Sequence, residues 1–204
     1  MRICILVEGK TEQAFKRPLL NFLRPRLDKM PRMDFQPYNG CIPTEDKLKR
    51  IVKNRLSGKN GADFVIALTD VYTGPPPYLF KDASDAKSKM FAWVGCENRF
   101  YPHAAQHDFE AWLLPYWNTI QDLTGHRMSS PRGNPEEVNH NKSPAYRIMQ
   151  MFELGNKCRD SYVKPRDAGR ILRDNDLLVS INQCAELKAF VNTILSLSGG
   201  ESIS

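Results

Sequence analysis

The stretch Ile3-Cys4-Ile5-Leu6-Val7 is a short apolar run that leads straight into an acid, Glu8. A second run of the same kind, Phe64-Val65-Ile66-Ala67-Leu68-Thr69, leads into Asp70. Unbroken apolar runs of this length, rich in β-branched residues, are typical of strands that are buried on both faces. The two runs therefore predict an α/β fold with a mostly parallel sheet and helices on both of its faces.

Helical patterns surround these two strands. The first helix is expected to have Thr11 as its N-cap and to be kinked or ended by Pro18 and Pro25. A second strand is predicted over 33–38, and Thr44 is expected to cap a basic helix. The remaining predicted elements are a loop at 74–77, a helix at 84–94, a strand at 99–102, a helix from His107, a polar loop at 127–142, helices near 144–154, 165–174 and 183–197, and a frayed tail at 198–204.

Composition narrows the class of protein. The chain has 204 residues, of which 41% are hydrophobic and 25% charged, as expected of a folded globular protein. No apolar run reaches the roughly 18 residues that span a bilayer, so no membrane association and a cytoplasmic location are predicted. The five cysteines are widely spread without a C-x-x-C pair, which argues against a disulfide framework or a zinc knuckle.

The charge of the chain is the most informative part of its composition. The formal net charge is +6, and basic residues are concentrated in 16–32 and 47–59. Such stretches are either solvated helix faces or surfaces that bind phosphates. Charge alone leaves both interpretations open.

The acids at the two strand ends indicate a candidate site. Glu8 and Asp70 each follow an apolar run, and Glu12 lies one helical turn beyond Glu8. Ligands of open parallel sheets bind beyond the carboxyl ends of the strands. Clustered carboxylates repel one another unless a cation lies between them, and oxygen ligands suit Mg²⁺ or Mn²⁺. The alternative is that these acids are solvated or cap the following helix.

Two familiar motifs are incomplete in this sequence. Gly9-Lys10-Thr11 has the ending of a phosphate-binding P-loop, but the earlier glycine that such a loop requires is replaced by Cys4. His103 and His107 have the spacing of a zinc-protease helix, but the glutamate that should follow the first histidine is Ala104. Neither a P-loop nor a zinc protease is predicted.

A further polar group follows the fourth predicted strand. His107, Asp108 and Glu110 arrive together at a strand-to-helix junction, with Phe109 and Trp112 as the apolar face. Such groups are placed to complete a metal site at the edge of the sheet. The alternative is that Asp108 is an N-cap and His107 is exposed.

Several motifs together resemble a known family. They are Val7-Glu8-Gly9-Lys10-Thr11-Glu12, Thr69-Asp70-Val71-Tyr72, Arg99-Phe100-Tyr101-Pro102, His107-Asp108-Phe109-Glu110-Ala111-Trp112-Leu113-Leu114, Ser143-Pro144-Ala145-Tyr146-Arg147-Ile148 and Tyr162-Val163-Lys164. In this order they look like a bacterial Toprim-like family, catalogued as a domain of unknown function and often encoded beside an AAA-type or ABC-type ATPase. The resemblance covers about residues 1–195.

The resemblance implies a Toprim fold, which is a Rossmann-like sheet similar to that of nucleases of the overcoming-lysogenisation-defect type. It implies residues 1–126 as a catalytic core and 127–204 as a helical C-terminal extension of the same domain. Glu8 matches the Toprim glutamate, Glu12 the second glutamate of the nuclease branch, and Asp70 the first aspartate of an Asp-x-Asp pair. The chain departs from the pattern at the second aspartate, where Tyr72 stands.

The leading hypothesis is a metal-dependent nuclease that acts on nucleic acid, with DNA as the expected substrate. Its residues are assigned as follows: Glu8, Asp70 and Asp108 or Glu110 as ligands of Mg²⁺ or Mn²⁺, Glu12 for a second ion or a water, Lys10 or Lys164 for transition-state charge, His107 as acid or base, and Tyr72, Lys47, Arg50 and Lys53 for substrate. The resemblance also implies an ATPase partner and a role in antiphage defence; a homodimer is left open.

Two competing hypotheses use the same residues. A non-catalytic module could dock on the ATPase or bind nucleic acid without cutting it, which would explain Tyr72 at the aspartate position. A small-molecule phosphotransferase or hydrolase would need the acids but not the basic helices.

Overall fold

A four-stranded parallel sheet forms the centre of the protein in the computed structural model, which describes residues 1–72, 78–95, 97–138, 142–157 and 161–204. The strand order is β2-β1-β3-β4, and each neighbouring pair is parallel. The strands are β1 (Arg2–Val7), β2 (Arg32–Pro37), β3 (Phe64–Asp70) and β4 (Phe100–Ala105).

Helices connect the strands and form the C-terminal part of the chain. They are α1 (Lys10–Leu23), α2 (Glu45–Leu56), α3 (Ala83–Val94), α4 (Trp117–Thr124), α5 (Pro144–Leu154), α6 (Lys164–Arg173), α7 (Leu177–Gln183) and α8 (Ala185–Leu197), with 3-10 helices at Arg24–Arg26 and Phe109–Tyr116.

The sheet separates two hydrophobic cores. Alternate side chains of β1 point to opposite faces: Ile3, Ile5 and Val7 join one core, and Cys4 and Leu6 join the other. The first core also contains side chains of α1, the second 3-10 helix and α5 to α8, while α2 and α3 cover the second core. Because both faces are covered, the strands read as unbroken apolar runs, and the predicted α/β fold is confirmed.

The start of α1 differs from the prediction. Its N-cap is Gly9, not Thr11, and the Gly9 N–H donates to the Glu12 side chain at 3.0 Å. The helix also continues through Pro18 to Leu23, because the side chains on the inner face of α1 are buried in the first core and offset the missing backbone hydrogen bond.

The segment after β4 also differs from the prediction. The strand extends to Ala105, so His103 lies in the sheet and not on a helix. His107 has a φ of 70°, a left-handed backbone conformation that interrupts regular structure, and a 3-10 helix begins only at Phe109. Asp108 is the N-cap residue of that helix, but its side chain makes no capping hydrogen bond.

The C-terminal tail is held in place, contrary to the expected fraying. The Asn192 side chain donates to the Ile203 carbonyl at 3.1 Å and accepts from the Ile203 N–H at 2.8 Å. Lys188 donates to the carbonyl of Ser204 at 2.8 Å. Pairing on both backbone groups of Ile203 fixes the tail against α8. The loop predicted at 74–77 lies outside the described residues.

Within the described ranges, no helix has the length and apolar character needed to traverse a bilayer.

Candidate functional site

The carboxyl ends of β1 and β3 bring the first two predicted acids together. The strands pair in parallel with Val7 opposite Leu68, so the residues that follow them share one edge of the sheet. The Asp70 N–H donates to Glu8 Oε1 at 3.2 Å, and the Thr69 hydroxyl donates to the same oxygen. Glu8 is buried and is therefore held in a fixed position beside Asp70.

The segment after β4 adds two more buried acids. Asp108 Oδ2 accepts from the Ala145 N–H at 3.2 Å, while Oδ1 is buried without a hydrogen-bond partner among the described residues. Glu110 has no solvent exposure and accepts from the Tyr162 hydroxyl at 3.3 Å. A carboxylate oxygen with no partner is costly unless a cation or a water reaches it.

The N-terminus of α6 supplies the one cation in direct contact with these acids within the described part of the chain. The Lys164 Nζ lies 3.2 Å from Glu110 carboxylate oxygens. Asp167 fixes this end of the helix, because its buried carboxylate accepts from the Val163 N–H at 2.8 Å and also from Arg166 and Arg170. Burial lowers the pKa of Lys164, but Glu110, Asp70 and Asp108 raise it more, so the amine is charged.

The acids act on one another electrostatically. Burial raises the pKa of Asp70 well above its usual range, and four neighbouring carboxylates raise it further: Glu8, Glu12, Asp108 and Glu110. Burial also raises the pKa of Asp108 to about 7, with Glu110 as the next cause. Burial raises the pKa of Glu12 as well. We refer to these five residues, Glu8, Glu12, Asp70, Asp108 and Glu110, as the acid cluster.

The acid cluster fits a divalent cation in its chemistry but is not preassembled around one. In the part of the chain that the structure describes, no three histidine, cysteine or acidic side chains are arranged to hold a metal ion. The donors are nevertheless all carboxylate oxygens, the ligand type of Mg²⁺ and Mn²⁺. Burial and the neighbouring acids disfavour the charged forms of Asp70 and Asp108, as their raised pKa values indicate, and Asp108 Oδ1 has no hydrogen-bond partner among the described residues. A bound cation would stabilise the charged carboxylates.

Two of the predicted catalytic residues, Lys10 and Glu12, lie in the first turn of α1. Glu12 accepts from the Gly9 N–H, so it caps α1 in addition to facing the cluster. Lys10 is exposed in the first turn of the same helix.

His107 is buried beside the cluster, contrary to the alternative in which it was exposed. Neither of its ring nitrogens has a hydrogen-bond partner within the described residues, and burial lowers its pKa, so the ring is neutral. Its ring centroid lies 4.9 Å from that of Tyr72, which follows Asp70 by two residues and is stacked on Tyr78.

The basic residues predicted to bind substrate lie on a separate surface. Lys47, Arg50 and Lys53 are exposed along one side of α2, which covers the sheet face opposite α1. The helix follows β2, so its N-terminus starts from the same edge of the sheet as the acid cluster. The three residues are not part of the cluster.

Several residues of the site were not predicted as such. Thr69 orients Glu8, Ala145 donates to Asp108, and Tyr162 donates to Glu110. A signal was present, because the first precedes Asp70 directly and the other two lie in motifs shared with the Toprim-like family. Only the tertiary structure shows which acid each one contacts.

Comparison with known protein families shows to which family the chain belongs. Residues 7–195 match the family described as Domain of unknown function (DUF4276). The chain belongs to this family. A search of curated proteins gives no match.

Solved structures show where the fold of this DUF4276 chain occurs elsewhere. The C-terminal region of the OLD protein of Burkholderia pseudomallei is similar over 97% of this chain and 98% of its own, with 15% identity and a TM-score of 0.55. The C-terminal region of the Xanthomonas campestris pv. campestris OLD protein is similar over 97% of each chain, with 15% identity and a TM-score of 0.47. The predicted resemblance is confirmed at the level of family and fold.

Proposed function

We propose that this protein is a divalent-metal-dependent nuclease whose centre is the acid cluster. The observation that carries the proposal is the convergence, at one edge of a parallel sheet, of carboxylates that follow three of its strands. Glu8, Asp108 and Glu110 are buried, Asp70 is half-buried, and Lys164 lies beside them. The likeness of the fold to an OLD protein's C-terminal region supports a Toprim-like, nuclease-related module. In this proposal residues 1–126 carry the acids, and 127–204 supply Lys164 and Tyr162.

The protein's own groups would hold the ion and orient the substrate. Glu8, Asp70 and either Asp108 or Glu110 would ligate Mg²⁺ or Mn²⁺, with Glu12 for a second ion or a water. When bound, the ion supplies positive charge to the phosphoryl oxygens of the scissile phosphodiester. The hydrogen bond from Thr69 holds the Glu8 carboxylate beside the end of β3.

Two further groups are available for the reaction. Lys164, fixed through Asp167, would stabilise the charge that develops on the phosphate, and the exposed Lys10, two residues after Glu8, is the second lysine proposed for this role. His107 is the candidate for proton transfer, because its ring is neutral and its nitrogens have no hydrogen-bond partner within the described residues.

The basic stripe of α2 offers a test that separates a nuclease from a small-molecule phosphatase. Replacing Lys47, Arg50 and Lys53 with alanine removes three exposed charges. We expect cleavage of a labelled oligonucleotide with Mn²⁺ to fall by roughly 10-fold or more at low salt, since phosphate contacts carry much of the affinity. Hydrolysis of bis(p-nitrophenyl) phosphate, which has no backbone to bind, should stay within about 2-fold.

The control replaces three exposed basic residues elsewhere, Arg99, Arg127 and Arg132, which gives the same change in net charge. This variant should cleave the oligonucleotide at a rate close to the wild type. Equal losses in the two triple variants would show a nonspecific charge effect. Equal losses on both substrates would contradict a role of α2 in holding nucleic acid.

A non-catalytic docking module is the second candidate function. Two observations favour it: the described acids are not preassembled around a metal, and Tyr72 stands at the position of a second aspartate. Such a module would co-purify with an ATPase encoded beside it, and its binding to that partner would not change when EDTA removes divalent ions. A nuclease would instead lose its cleavage activity when EDTA removes the divalent ions.

A further inference from the structure

An open cleft beside the acid cluster is lined by aromatic and basic side chains. Its volume is about 890 Å³, and its described lining residues are Tyr72, Tyr78, Phe80, Lys81, Lys142, Ser143 and Tyr146. We refer to it as the tyrosine cleft. We infer that the tyrosine cleft takes an unpaired nucleobase, so that the proposed nuclease, on which this inference rests, acts on single-stranded nucleic acid or on unpaired parts of a duplex.

The aromatic rings of the cleft are arranged as a stacking surface. The rings of Tyr72 and Tyr78 are stacked, with centroids 4.6 Å apart and an angle of 25° between the planes. Tyr78 and Tyr146 are 44% and 40% exposed, so both side chains are accessible from solvent. Exposed aromatic faces on which successive bases stack are the means by which many proteins bind single strands.

The charge of the cleft suits a nucleotide rather than a purely apolar ligand. Lys81 and Lys142 are both exposed, and the described lining includes no acidic residue. The Lys142 Nζ lies 5.0 Å from the centre of the Tyr146 ring. An ammonium group next to an aromatic face can contact the phosphate of a nucleotide while its base lies on the ring.

The cleft and the acid cluster share parts of their walls. Tyr72 is two residues beyond Asp70, and its ring packs against His107, the neighbour of Asp108. The Ala145 N–H donates to Asp108, and the residue that follows it, Tyr146, lines the cleft. A base in the tyrosine cleft would therefore bring an adjoining phosphate toward the acids.

The geometry has a consequence for the substrate. In an intact duplex both faces of each base are covered by stacking, and exposing one costs a few kcal/mol. A single strand, a flap or a mismatched end offers bases without that cost. DNA and RNA share this chemistry, so both belong in the test.

The test measures binding separately from cleavage. The full-length Asp70→Asn variant in EDTA is titrated against a labelled single strand of DNA, the same strand as RNA, and the DNA duplex, and anisotropy is recorded. We expect at least one single strand to bind more tightly than the duplex. Tyr146→Ala and Tyr78→Ala should each weaken the binding of that strand by roughly 5- to 100-fold, the effect of losing one base–aromatic stacking contact. Binding of the duplex should change little.

Matched variants exclude trivial explanations. Tyr146→Phe and Tyr78→Phe keep the ring and should restore most of the affinity. Phe91→Ala removes an exposed aromatic ring on α3 outside the cleft and should have no effect. A mononucleotide should bind much more weakly than the strand, because it lacks the neighbouring phosphates.

The outcomes separate this inference from the proposed nuclease. Any of three results would overturn the assignment of the tyrosine cleft, even if metal-dependent cleavage is observed. They are equal affinity for single strands and duplex, tyrosine-to-alanine variants that bind as well as the parent, and a mononucleotide that binds as tightly as the strand. Ring-dependent binding of a single strand without any metal-dependent cleavage would support the cleft and refute the nuclease.

Discussion

Asp70→Asn is expected to lower metal-dependent cleavage of an oligonucleotide by roughly 100- to 1,000-fold, the scale found when one group that stabilises a transition state is removed. Asp70 lies at the end of β3 with its N–H bonded to Glu8, and burial, followed by four other carboxylates, raises its pKa. An amide there removes the charge that a cation would balance. Glu8→Gln should cause a loss of the same order. Initial rates with Mg²⁺ and Mn²⁺ measure both.

The control for these variants is Asp122→Asn, which removes an exposed carboxylate on α4 away from the acid cluster. Its cleavage rate and its thermal stability should match those of the wild type. The assignment of the site would be wrong if Asp70→Asn and Glu8→Gln both cleaved at the wild-type rate while remaining folded.

Asp108→Asn is expected to stabilise the metal-free protein at alkaline pH. Burial, followed by Glu110, raises the pKa of folded Asp108 to about 7, whereas an unfolded aspartate titrates near 3.9. Between these values the folded state binds the proton more tightly, so the contribution of Asp108 to stability is full below about pH 4 and is lost as pH rises through 7. Since each pKa unit corresponds to about 1.4 kcal/mol, the variant should gain on the order of 2 kcal/mol over the wild type between pH 5 and pH 8.

Urea unfolding in EDTA at several pH values measures this difference. Asp167 provides the control with the opposite sign: burial raises its pKa, but Arg166, the Val163 N–H and Arg170 lower it more. Its contribution is present at neutral pH and lost as pH falls, so Asp167→Asn should destabilise the protein at pH 7. A wild-type stability that rose steadily from pH 5 to pH 8, unchanged by Asp108→Asn, would contradict the electrostatic description of the cluster.

The sequence was sufficient to predict the edge of the sheet at which the acids meet. Apolar runs without alternating polar residues predicted parallel strands buried on both faces. In parallel strands, the residues that follow each strand lie at the same edge of the sheet, and β1 and β3 are paired in this way. Local patterns therefore predicted that Glu8 and Asp70 lie at one edge of the sheet, and the pairing of β1 with β3 in the structure makes them neighbours. The position of Asp108 and Glu110 after β4, at the same edge of the sheet, was predicted on the same basis.

Other features depend on contacts that no local pattern records. Lys164 was one of two lysines considered, and only the packing of α6 against α1 and the second 3-10 helix places it beside Glu110. The left-handed conformation of His107 and the capping of α1 by Glu12 were missed because each replaces a locally plausible alternative, a helix start and a Thr11 cap. The tyrosine cleft brings together residues from 72 to 146 and had no single-segment signal.

Direct titration of the wild-type protein with Mn²⁺ at pH 8, by calorimetry or electron paramagnetic resonance, tests the acid cluster without requiring a substrate. We predict saturable binding that is weakened at least about 10-fold in Glu8→Gln and in Asp70→Asn, and that is unchanged in Asp122→Asn. Binding that is absent from the wild type, or equally tight in all four proteins, would contradict a cation site built from these carboxylates.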